Sequence, residues 1–205
     1  MPRMNGYKLC KTIKEDINIS HIPVILLTAR DDRQSQISGY KNGADGYLSK
    51  PFEVEMLMEL IRNRLKNREY TKKGYLNAGL IPTPEESTIS LTDETFLIKL
   101  NSIIQENIEN SNLGIQFICQ EVGLGRSSLY NKLKALTGMG ANEYISKLRI
   151  EKAITLISGT DMPFSEIAEK TGFTTPSYFS TAFKQYTGET PSQYKERKKK
   201  GLADK

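Results

Sequence analysis

The 205-residue chain has few of the side chains that bind metals or form cross-links. It carries two cysteines, Cys10 and Cys119, with no CxxC spacing, and one histidine, His21. Each cysteine stands beside apolar neighbours and reads as a buried thiol in a reducing cytoplasm, so neither a disulfide nor a metal site is expected. His21 opens an apolar, strand-like run without partner residues nearby, which fits a structural or solvent-exposed role. No apolar run approaches the ~20 residues needed to cross a bilayer, and no signal-like segment leads the chain, so no membrane contact is expected. No nucleophile–base set, metal cluster or phosphate-cradling loop is present; neither catalysis nor a cofactor is expected. Charge of one sign is also scarce. The net charge is +5, and from Asp93 onward 15 basic residues face 13 acidic ones. Bulk charge alone would not reveal a nucleic-acid binder.

What is present is organised around Ser165 to Tyr194, SEIAEKTGFTTPSYFSTAFKQYTGETPSQY. Ser165 can cap a short helix with Ile167 and Ala168 inward. Gly172 supplies a permissive turn, and Thr175-Pro176 opens a second helix. On that helix Phe179, Ala182, Phe183 and Tyr186 fall at i, i+3, i+4 and i+7 and form one apolar face. Ser177, Ser180, Thr181 and Lys184 point roughly the other way. A helix-turn-helix that enters a major groove has this layout, and a plain helical hairpin in an all-α core fits the stretch equally well.

An internal repeat favours the first reading. Ile118 to Tyr144 reads ICQEVGLGRSSLYNKLKALTGMGANEY, in which Gly123 matches Gly172, and Leu129, Leu133 and Leu136 match Phe179, Phe183 and Tyr186. The offset is 49 before the turn and 50 after it, so the turn of the second copy is one residue longer than that of the first. Two copies argue for a paired device rather than a solenoid. Between them Asn142 to about Ser158 is an uninterrupted helical pattern, roughly 25 Å long at 1.5 Å per residue. Such a spacer could hold two recognition helices about one DNA turn (~34 Å) apart on one face. The proposed outer faces carry Arg126, Lys132, Lys134 and Lys184, with no acid in Gly125–Thr137 or Thr174–Thr187. A solvated surface helix normally mixes signs.

These residues resemble the DNA-binding domain of the AraC/XylS family of bacterial transcription regulators, over about Glu94 to Arg197. The segments IAEKTGF, SYFSTAFKQYTG and TPSQY carry the likeness. The first copy departs from it at Met139-Gly140-Ala141, where the spacer helix begins. In that family the positions of Ser127, Tyr130 and Asn131 read bases. Asn131 can pair with the adenine N6/N7 edge, and Arg126 can reach guanine or a phosphate. Lys134 lies on the same side. On the second helix Ser177 and Thr181 are the matching readers, with Ser180 and Lys184 aimed at phosphates. For each of these residues the alternative is plain solvent exposure. The Lys198–Lys200 run adds sequence-independent affinity or is simply a disordered tail.

Upstream the order is helix, strand, helix, strand, helix: Tyr7 to about Asp16 (Leu9, Cys10 and Ile13 inward), Ile22 to Leu27, Asp31 to about Asn42, Gly46 to Leu48, and Val54 to Lys66. That order implies a doubly wound parallel sheet. MPRMNGY, VILLTAR and GADGYLSKPF resemble the second half of a response-regulator receiver domain. The resemblance makes Thr28 and Lys50 the hydroxyl and ammonium that bind a phosphoryl group, Tyr47 the aromatic switch, and Pro51 the residue after a cis bond. The acceptor aspartate would fall three residues before Met1, so no phosphoacceptor is expected in this chain. Asp31 and Asp32 more readily begin a helix than replace it. The chain then reads as part of a longer regulator, with a sheet edge and apolar surface left bare.

The expected fold class is mainly α: an all-α double helix-turn-helix domain (93–197) after a partial α/β, flavodoxin-like receiver remnant (1–68), with a linker (69–92) and a basic tail (198–205). Thr92-Asp93-Glu94 should cap the first output helix, with Leu97, Leu100, Ile104 and Ile108 inward. The expected function is that of a sequence-specific, cytoplasmic transcription regulator of a two-component phosphorelay, acting on promoter DNA as a homodimer. The alternative is a chain that pairs with full-length regulators and modulates them without phosphotransfer.

Overall fold

The structure is a computed structural model and describes residues 4–29, 32–78 and 90–203. Met1–Arg3, Arg30, Asp31 and the proline-bearing part of the expected linker, Pro82 and Pro84 included, lie outside the described residues.

The N-terminal segment opens with α1 (Gly6–Glu15), capped by Asn5, whose side chain accepts from the Lys8 N–H at 2.8 Å. Cys10 is fully buried, and its thiol reaches the Asn42 carbonyl at 3.3 Å. Leu9, expected inward, is exposed instead. β1 (Ile25–Thr28) begins three residues into the apolar run and ends one residue past it. α2 (Arg33–Lys41) starts at Asp32, whose carboxylate accepts from the Ser35 N–H at 2.8 Å. β2 (Gly46–Ser49) pairs with β1 in parallel, Ile25 opposite Gly46 and Thr28 opposite Ser49. With two strands among the described residues, much apolar surface stays open: Ile22, Leu27, Val54, Met56, Met58 and Leu65 are all exposed. The Lys50–Pro51 peptide is cis.

α3 (Val54–Ala78) runs well past Lys66, so residues 69–78 are helical where an irregular linker was expected. Arg, Glu, Lys and Leu dominate 62–73 and favour helix, and the next proline comes only at Pro82. α4 (Leu91–Glu106) is capped by Ser90, whose hydroxyl accepts from the Asp93 N–H at 3.2 Å. Asp93 is therefore not a cap; its side chain is buried. Leu97, Leu100, Ile104 and Ile108 all face inward.

α5 (Ile115–Val122) ends on Gly123, and α6 (Arg126–Thr137) follows. α7 (Ala141–Gly159) starts cleanly at the unusual Met139-Gly140-Ala141, because the Gly140 N–H donates to the Glu143 carboxylate at 3.3 Å. Its 19 residues span about 28 Å. α8 (Phe164–Lys170) begins after Pro163, which places Ser165 inside the helix rather than at its cap. α9 (Pro176–Thr187) and α10 (Pro191–Ala203) complete the chain. The Lys198–Lys200 run is thus helical, not the disordered tail the charge run suggested.

The chain divides into two compact units, residues 1–98 with 127–138, and residues 99–126 with 139–205. The second unit is built on Ile150, Ala153 and Ile157 of α7, Ile167 and Ala168 of α8, Phe173, Phe179 and Phe183, and Tyr194 of α10. Phe179 and Phe183 meet edge-on with centroids 5.7 Å apart, and Tyr194 meets Phe183 at 5.6 Å. Such pairs add to the area term of burial.

Candidate nucleic-acid interface

α9 is placed by its own first turn. Thr175 adopts extended backbone and its hydroxyl accepts from the Tyr178 N–H at 3.2 Å, while Pro176 occupies the first helical position where no N–H is needed. Gly172 makes the turn before it, at φ +73°. A Cβ there would lie 2.2 Å from the Ile108 carbonyl oxygen and 2.8 Å from the Arg149 guanidinium. Arg149 is itself buried, donates to the Asn110 carbonyl at 2.7 Å and lies over the Phe173 ring. Burial pushes its pKa down, though a guanidinium stays charged.

Phe179 and Phe183 then point fully inward, leaving Ser177, Thr181 and Lys184 exposed and Ser180 half-buried. The Thr181 hydroxyl donates to the Ser177 carbonyl at 3.1 Å, so its lone pairs remain available to a donor. Tyr186, expected on the apolar face, is 41% exposed; it packs its stem and donates its hydroxyl to Glu151 of α7 at 3.2 Å. Burial and the neighbouring carboxylate push its pKa up to about 12. A phenol can satisfy one face of a helix and still keep its tip wet, which hydrophobic spacing does not distinguish.

α6 repeats the arrangement. Leu129, Leu133 and Leu136 are buried, and Arg126, Ser127, Tyr130, Asn131 and Lys134 are exposed. Arg126 reaches the Gln116 side chain at 3.4 Å, a weak contact that leaves the guanidinium free to turn. Lys132 departs from expectation: it is fully buried rather than on the outer face. Its ammonium donates to the Asp93 carboxylate and, at 2.7 Å, to the Ser20 hydroxyl, and lies 5.1 Å from the centre of the Phe96 ring. Burial lowers its pKa, and Asp93 opposes that shift. Lys132 lies three residues after Leu129 and four before Leu136, on the apolar side, a position that spacing could have flagged.

Tyr178 and Gln185 are exposed on α9 but were not singled out from sequence. Tyr178 stands in the first turn, where such helices usually approach base edges. The repeat hid it, because Ser128 holds the corresponding place in the first copy.

In the N-terminal segment the receiver-type residues come together. The Lys50 N–H donates to the Thr28 carbonyl at 2.6 Å, and Thr28 and Tyr47 line one cavity of about 300 Å³ with Tyr7 and Leu26. Tyr47 is buried and its pKa is raised, by burial first and then by the Tyr7 hydroxyl. The Lys50 side chain is exposed. Among the described residues no helix is long and apolar enough to cross a membrane.

Two family models match separate stretches of the chain. A helix-turn-helix domain model matches residues 118–197, and a response regulator receiver domain model matches residues 1–62. The chain is 43% identical over 197 residues to Histidine kinase P4 of Formosa agariphila, covering 96% of this chain but 14% of that protein. It is 28% identical to the probable transcriptional regulator ycf29 of Pyropia yezoensis, covering 70% of this chain and 69% of that protein. Among solved structures, the C-terminal domain of the response regulator yesN from Fusobacterium nucleatum is 32% identical, covering 47% of this chain and 93% of that one at a TM-score of 0.44.

Proposed function

From the premise that this chain joins response-regulator receiver sequence to an AraC-type helix-turn-helix domain, we propose that it is the sequence-specific DNA-binding output portion of a two-component transcription regulator. The observation that carries the reading is the same in both copies. A helix that buries most of its apolar face turns an acid-free, polar and basic face to solvent: Ser127, Tyr130, Asn131 and Lys134 on α6, Ser177, Thr181 and Lys184 on α9. A major groove offers acceptors and a negative wall, and this face offers amides, hydroxyls and ammoniums.

In this reading Asn131 and Tyr130 read bases, Ser127 and Arg126 support them, and Ser177 and Thr181 read more weakly. Ser180, Lys184 and Lys134 lie along phosphates. The protein acts in the cytoplasm as a homodimer on promoter DNA. Thr28, Tyr47 and Lys50 keep the places of a receiver switch.

A duplex selected by the chain from a random pool tests the proposal. Asn131→Ala should relax one base position, by about 1–3 kcal/mol, while Lys184→Ala should weaken all sequences alike. Equal binding of selected and scrambled duplexes by the wild-type chain would refute it.

A further inference from the structure

Lys132 sits in the middle of α6 and is fully buried alongside Leu129 and Leu133, yet it carries a charge. Its partners come from two distant parts of the first unit, Asp93 at the start of α4 and Ser20 in the connection between α1 and β1. Ser20 donates to the Asp93 carboxylate at 2.7 Å and accepts from Lys132 at 2.7 Å, so its one hydroxyl serves both groups. A second link runs alongside, from the Thr92 hydroxyl to the Lys14 carbonyl at 2.9 Å. The grip is on the inner side of α6: Ser127, Tyr130, Asn131 and Lys134 stay exposed.

We propose that Lys132 is a positioning residue for the first DNA-reading helix, and that the receiver-type segment acts on DNA reading by holding Lys132 through Ser20, not by covering the reading face. The inference deepens the DNA-binding reading above and rests on it. A buried ammonium tolerates no loss of partners, so the cluster sets how α6 is rotated about its axis. Side-chain atoms lie ~5–6 Å from a helix axis, and a ~20° turn moves them about 2 Å. That exceeds what a hydrogen bond to a base edge tolerates. Movement of Ser20 therefore re-aims Asn131, the neighbour of Lys132, without unfolding anything.

The test uses the full chain. Ser20→Ala removes both hydrogen bonds of that hydroxyl and should speed amide exchange in residues 127–137 about fivefold or more, with residues 177–187 unchanged. On the selected duplex the same variant should lose protection of the base that Asn131→Ala relaxes, and keep protection at the base read through Ser177 and Thr181. Asp93→Leu with Lys132→Met keeps the branching at 93 and nearly the length at 132 and removes both charges; in that background Ser20→Ala should add no further change. Unchanged exchange and protection in Ser20→Ala overturn the proposal, as does equal loss at both helices, or an undiminished Ser20 effect in the charge-free background. If the wild-type chain selects no duplex, the DNA-binding reading fails, and the exchange measurements still decide whether Ser20 holds α6.

Discussion

Gly172 and Gly123 occupy matching turns with the same left-handed backbone, φ +73° and +74°, but their surroundings differ. Around Gly123 no atom would lie within 4 Å of an added Cβ, whereas at Gly172 the Ile108 carbonyl oxygen would lie at 2.2 Å. Gly123→Ala should therefore cost only the backbone term, about 1–2 kcal/mol. Gly172→Ala should cost that and a forced shift of Ile108 and Arg149, roughly 3 kcal/mol or more, as read by urea unfolding. Tyr186 offers a second test. Its folded pKa of about 12 exceeds the ordinary tyrosine value of 10, so the folded chain holds the proton more tightly. The stability from its bond to Glu151 is present in full below pH 10 and is lost as pH rises from 10 toward 12. A tyrosinate absorbance titration should show a phenol near 12 that disappears in Tyr186→Phe and moves down in Glu151→Gln.

Single elements stand or fall by their ends. α9 has a hydroxyl cap and a first-turn proline, and Thr175→Ala should cost about 1 kcal/mol while Thr175→Ser stays close to wild type in thermal unfolding. α10 was harder to read from its composition, because a run of lysines usually stays solvated and irregular. Tyr194 seats the helix in the second unit's core, and Asp161 pairs with Lys195 at 3.2 Å and with Lys199 at 3.9 Å. Asp161 lies more than thirty residues upstream of both lysines, out of reach of any local pattern. α3 shows the converse: its extension to Ala78 follows from good helix formers, and the turn-like Gly74 did not end it.

Across the molecule, charge matters by placement more than by sum. The buried Lys132–Asp93 pair and the exposed Lys11–Glu15 pair look alike in a list of ion pairs. Asp93→Asn, which strands a buried ammonium, should cost about 3–5 kcal/mol, and Glu15→Gln less than ~0.5 kcal/mol, both measured by urea unfolding. The net +5 of the chain includes the α10 lysines, which stand on an ordered helix. Replacing Lys198, Lys199 and Lys200 with Gln should lower affinity for scrambled duplex and make its salt dependence shallower. Lys184→Ala alone should change the slope by about 0.9.

The order of residues along the chain by itself determined that helices form around α4, α6 and α9, which of their leucines, isoleucines and phenylalanines turn inward, and where the glycine turns fall. Each of these depends on spacing within four or so residues, and local spacing is written in the sequence. Only the tertiary structure decided that Lys132 is inside, that Asp93 is its partner rather than a cap, that Tyr186 keeps its tip in water, and that Leu9 and Leu27 stay exposed. Those outcomes depend on which distant groups arrive at a site: Ser20 lies 112 residues from Lys132, and Asp93 lies 39. A buried charge is stable only where such partners converge, and no local period records that they will.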